Sequence, residues 1–158
     1  MDGKVLVEFL INTKVCKVDE MQGCTSEEID RLEKLAGIRL PKAYREFLLA
    51  IGRRAGKLFQ GTDILFPALD GVRDAAIHLL HENGETFRLP SDAFVFSMHQ
   101  GYEFDYFIAS QGDDPPVYQY VEGSGSPALI WPSFSEFLRE SIALHAQAAS
   151  GEGRSSDF

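Results

Sequence analysis

Residues 93–108 read AFVFSMHQGYEFDYFI, and the period of that stretch decides the fold. Polar and apolar side chains alternate with a period of two, as they do along an extended chain whose side chains point to opposite faces. Phe94, Phe96 and Met98 alternate with Val95, Ser97 and His99. Beyond Gly101 the pattern resumes, with Tyr102, Phe104, Tyr106 and Ile108 on one face and Glu103, Asp105 and Phe107 on the other. That is a β-hairpin turning at residues 99–101. The His99-Gln100-Gly101-Tyr102 turn has two readings: a binding loop on a rigid hairpin, or a turn that needs its glycine.

Downstream of the hairpin, a turn at residues 111–116 leads into a strand at 117–121, and Gly123 to Ser126 turns the chain again. Ser133 caps a last helix with Phe134, Phe137, Leu138 and Ile142 facing inward. Upstream, the period changes to 3.6. Thr25 and Glu28 have the form of a capping box, Ile29, Leu32, Leu35 and Ala36 share a face, and Gly37 supplies a left-handed stop. Pro41 opens a second helix with Tyr44, Phe47, Leu48 and Ile51 inward and Lys42, Arg45 and Glu46 outward, ended by Gly52. Residues 53–61 read as a loop and 64–66 as a short strand. Asp70 is placed to cap a third helix over 72–80, with Val72, Ala75, Ala76, Leu79 and Leu80 apolar. Residues 5–11 fit either a strand or a helix.

Helices, then an antiparallel meander, then a closing helix make an α+β architecture. It is expected to form one domain over residues 1–145. The Ala/Ser/Gly-rich residues 146–158 have no core face and are expected to be a disordered tail. An antiparallel sheet commonly keeps one face in the core and the other in water, which would place acids on exposed edges and turns. Phe94, Phe96, Phe104, Trp131 and Phe137 are the expected core aromatics, leaving Tyr102, Tyr118 and Tyr120 for contact.

The chain has 158 residues, a length that suits one domain burying roughly 70% of its unfolded surface. No apolar run approaches the ~18 residues of a membrane span, and residues 5–11 lack the basic start and cleavage site of a signal peptide. A cytoplasmic location is the resulting expectation. Cys16 and Cys24 are expected to be reduced and unbridged.

Between Arg88 and Arg139 there is no Lys or Arg, yet seven carboxylates and eleven aromatics occur. The whole chain carries a formal net charge of -9, so most of its imbalance lies here. Such a surface attracts cationic partners, offers rigid rings for contact and repels nucleic-acid phosphates. Tyr102, Glu103, Asp105, Asp113, Asp114, Tyr118 and Glu122 are the candidate partner-binding residues. Carboxylates mimicking phosphates could occupy the basic cleft of a nuclease. The alternative is that these acids are only solvated surface.

The sequence supplies no catalytic constellation. His78, His81 and Glu82 lack the zincin spacing and are too few for a metal. Gly123 to Ser126 is not a phosphate loop, because no Lys follows and no strand-to-helix context fits. Arg53, Arg54 and Lys57 form a small basic cluster, read as solubility rather than nucleic-acid recognition. No cofactor, metal, nucleic-acid or membrane partner is therefore expected. Oligomeric state stays open.

Residues 29–52 read IDRLEKLAGIRLPKAYREFLLAIG and residues 131–138 read WPSFSEFL. An Ile-to-Glu helix, Leu-Pro, a Tyr-to-Phe-Leu helix ending at Gly, a hairpin, an Asp-Asp-Pro-Pro-Val-Tyr strand and that closing helix occur in the order of the SUKH superfamily, the Smi/Knr-like proteins. The chain resembles them over roughly residues 20–145. The resemblance implies an α+β fold and, for most bacterial members, a non-enzymatic immunity protein that neutralises a cognate polymorphic toxin, often a nuclease. For fungal members it implies a regulatory scaffold. It lends no catalytic residues. A small metal-dependent hydrolase is the third and least supported reading.

Overall fold

The computed structural model describes residues 1–155, with side chains through residue 151. Five helices and seven strands follow in the order α1 (Gly3–Asn12), β1 (Met21–Gln22), α2 (Ser26–Ala36), α3 (Lys42–Ile51), β2 (Arg54–Ala55), β3 (Thr62–Asp63), α4 (Val72–Glu82), β4 (Ala93–His99), β5 (Glu103–Ile108), β6 (Val117–Val121), β7 (Ala128–Trp131) and α5 (Phe134–Ser155). The main sheet is an antiparallel meander in the order β3-β4-β5-β6-β7, and β1 pairs with β2 as a separate two-stranded sheet. The α+β class read from the sequence is the class of the fold.

The N-terminal helices form for the reasons their residues suggest. Asp2 accepts a hydrogen bond from the Val5 amide at 2.8 Å, and Leu6 and Leu10 are buried, so residues 5–11 are helical. In α2 the capping box closes in both directions. Glu28 donates its amide to Thr25 Oγ1 at 3.2 Å, and Thr25 donates its amide to Glu28 Oε1 at 2.9 Å. Gly37 stops the helix at φ 67°. Tyr44, Phe47, Leu48 and Ile51 of α3 are buried as the 3.6 period requires.

The sheet is sandwiched, which corrects the expectation of one wet face. Phe96, Phe107 and Val117 join the larger core with α1, α2, α3 and α5. On the other side Val95, Met98, Phe104, Tyr106 and Tyr120 are buried against Val72, Ala76, Leu79 and Leu80 of α4. The apolar stripe of α4 needs a layer to cover, and the second sheet face supplies it. A register shift between Val95 and Ser97 bulges β4. Phe96 thereby stays in the larger core while Ser97 stands opposite Asp105.

Several local expectations shift. Pairing to His99 and Met98 comes from Thr62 and Asp63 rather than from residues 64–66, although Ile64 is buried. The expected loop at 53–61 contains β2. Asp70 lies in a 3₁₀ turn and makes no cap; Gly71 occupies the cap position of α4. Leu35 is 74% exposed and Ala75 is also exposed, so neither serves the core. Strand β7 follows the Gly123–Ser126 turn where no strand was expected. The closing helix continues through Ser155, across most of the stretch expected to be a disordered tail. Residues 156–158 of that stretch lie outside the described residues.

Candidate functional site

The hairpin tip is built by backbone conformation. Gln100 and Gly101 both take positive φ, 48° and 78°, within the three-residue connection between the paired His99 and Glu103. The Tyr102 amide closes it on the His99 carbonyl at 3.2 Å. His99 is fixed in turn by Thr62, with Nδ1 and Oγ1 2.8 Å apart, and its ring meets Tyr102 edge-on at 5.5 Å. Tyr102 remains 39% exposed. Its carbonyl accepts the Glu122 amide at 2.8 Å, and Glu103 stands opposite both His99 and Val121. Tyr102, Glu103 and Glu122 therefore gather at one end of the sheet, with Glu122 exposed and Glu103 half-buried.

Asp105 lies further along β5 and is buried, at 8% exposure. It accepts from Ser97 Oγ at 2.7 Å and from Gln119 Nε2 at 3.0 Å. Burial pushes its carboxyl up to about 6, while these two hydrogen bonds pull the other way. Asp105 is thus a buried network residue, not the exposed contact residue the strand period suggested. Asp105 shares its face of β5 with Phe107, on the side of the larger core, and neither that cover nor the bulge that brings Ser97 opposite it was legible in alternation alone.

Asp113, Asp114 and Tyr118 belong to the opposite end. Glu103 and Ile108 bound β5, and six residues at about 3.4 Å rise separate the two ends by roughly 17 Å. Asp114 Oδ1 accepts the Ser135 amide at 2.9 Å, and Ser133 Oγ accepts the Glu136 amide at 3.1 Å. Asp114 is therefore part of the cap of α5. The Asp113 carbonyl accepts the Ala43 amide at 2.9 Å, which leaves its carboxylate exposed at the start of α3. Tyr118 stacks on Tyr106 at 5.2 Å and 14°, and its hydroxyl meets Gln111 at 3.1 Å. Tyr120 is fully buried beside Phe104, which removes it from contact.

The acids expected to form one patch divide, with Glu103 and Glu122 at one end of the sheet, Asp113 at the other, and the side chains of Asp105 and Asp114 taken up by hydrogen bonds within the fold. Elsewhere, His78 Nε2 pairs with Glu82 at 2.9 Å on the exposed side of α4. Among the described residues, no group of three or more His, Cys, Asp or Glu is placed to hold a metal ion. Arg53 of the small basic cluster pairs with Glu28, and its guanidinium lies 4.8 Å from the centre of the Phe66 ring. Cys16 and Cys24 are buried and unbridged, and burial raises both thiols. No helix among the described residues is long and apolar enough to cross a membrane.

Sequence reasoning missed one surface feature. Strand β7 forms an edge of the main sheet, and Leu129 and Ile130 are 53% and 47% exposed on it. The signal was present as a short apolar run between Pro127 and Pro132.

No curated protein matches the chain. The family model described as SMI1 / KNR4 family (SUKH-1) matches residues 23–140, which run from just before α2 into α5. With a match over more than half its length, the chain belongs to the SMI1 / KNR4 family (SUKH-1).

Proposed function

We propose that this chain is a non-catalytic, cytoplasmic protein-binding domain, an immunity protein that neutralises a cognate polymorphic toxin with a basic surface. The observation that carries this reading is the sheet end where Tyr102, Glu103 and Glu122 converge, within a stretch of fifty residues free of Lys and Arg. Family membership supports the same class of function. Unopposed carboxylates at a hairpin tip would steer a cationic protein toward the site, and Tyr102 would provide contact area. Asp113 and Tyr118 offer a second contact at the far end. Asp105 is buried in its network with Ser97 and Gln119, and Asp114 caps α5 at the far end, so neither is assigned to the contact.

The test is binding to the toxin domain encoded beside this chain's gene. Glu103→Lys combined with Glu122→Lys is expected to slow association by about tenfold or more at low salt, with a much smaller change in the dissociation rate. Unchanged association would leave the carboxylates as solvated surface. A gene with no toxin beside it and stable binding to host signalling proteins would favour the regulatory-scaffold reading instead.

A further inference from the structure

We infer that the outer edge of β7 receives an extended segment of the partner as a sixth strand, one whose apolar residues are flanked by lysines or arginines. The inference rests on the protein-binding reading and adds where and how the partner docks. An edge strand offers unpaired main-chain groups, and peptides pair with such edges by strand addition. Leu129 and Ile130 are both exposed on this edge, and the register shift opposite Val117 and Tyr118 makes Ile130 the extra residue of a β-bulge in β7. Leu129 stands beside Tyr118 across the β6–β7 ladder, so the edge is continuous with a candidate contact residue. Pro127 and Pro132 lack amide hydrogens and confine pairing to Ala128–Trp131, which sets the register.

Charge selects the occupant. Residues 123–135 carry no charged side chain, and the charges that frame them along the chain are Glu122 and Glu136. Glu140 accepts a hydrogen bond from the Trp131 indole, and its neighbour in α5, Arg139, lies 2.5 Å from Glu136. An apolar edge bounded by carboxylates matches a segment with basic ends. A second copy of this chain would bring its own Glu122 and a net charge of -9 to the same edge. Like charges opposite one another disfavour that pairing.

The probe is the peptide KKVTVTVKK, tested on the full chain beside the same peptide N-methylated at alternate amides. N-methylation keeps charge and side chains but removes strand-pairing donors. The parent peptide is expected to slow hydrogen exchange at Ala128–Trp131, and N-methylation or Leu129→Lys to weaken binding by about tenfold, the loss of one or two hydrogen bonds or contacts. Equal binding of both peptides, protection elsewhere, or a dimer dissolved by Leu129→Lys would overturn strand addition. Binding that requires the amide hydrogens yet ignores salt and Glu122→Lys would uphold strand addition while removing the acidic steering proposed above.

Discussion

At Asp105, burial holds the carboxyl near a pKa of about 6, against hydrogen bonds from Ser97 and Gln119 that favour its charge. An unfolded aspartate titrates near 3.9, so the folded state holds its proton more tightly and is favoured by it below about pH 4. That contribution is lost as pH rises from about 4 through about 6. Asp105→Asn removes the titration, and the Gln119 amide can turn to present its oxygen to the new amide. The variant is expected to gain stability relative to the parent between pH 4 and pH 7, by at most about 3 kcal/mol, read from urea midpoints at both pH values. A flat difference would show that Asp105 titrates as an ordinary carboxylate. Its neighbours in the candidate set separate by a simpler rule. Asp114 uses its side chain to cap α5, whereas Asp113 uses its backbone carbonyl on α3. Asp114→Ala should cost about 1 kcal/mol and Asp113→Ala less than about 0.5 kcal/mol, by thermal melts. Equal losses would contradict this division of roles.

Elements differ in how much of their reason lies within their own sequence. The Thr25–Glu28 box and the stop at Gly37 are local chemistry, and both were legible from spacing alone. Gly52 ends α3 as expected but for another reason. Its φ is -59°, and a Cβ there would lie 2.6 Å from both Cys24 Sγ and the Leu48 carbonyl oxygen. Close approach of the chain before α2 demands glycine, a tertiary fact that no local pattern carries. Gly52→Ala is expected to destabilise by about 1–3 kcal/mol through overpacking. Gly37→Ala should cost about 1–2 kcal/mol through left-handed strain. Urea melts of the two variants check both, and a neutral Gly52→Ala would contradict the packing account. The strand period of residues 93–108 predicted β4 and β5, but it assigned the sheet one dry face. Only the stripe of α4, read together with those strands, implies that both faces are covered. Four-residue β7 and two-residue β3 are too short to carry a period at all.

Across the whole molecule, the charge imbalance was legible in the sequence and its partition was not. Linear spacing put Glu103, Asp105, Asp113, Asp114 and Glu122 in one segment. The meander sends Asp113 and Asp114 to one end of the sheet, turns Asp105 inward, and brings Glu122 back beside Tyr102 and Glu103. Proximity across strands, set by register, makes the candidate site. The most direct measurement of the proposed function is the association rate with a toxin domain encoded beside the gene, the partner proposed above, between about 50 and 500 mM salt, for the parent chain and the Glu103→Lys, Glu122→Lys pair. Steered association should fall steeply with salt in the parent and far less in the variant, the two curves converging at high salt. Parallel curves of equal height would contradict a role for this end of the sheet in finding the partner.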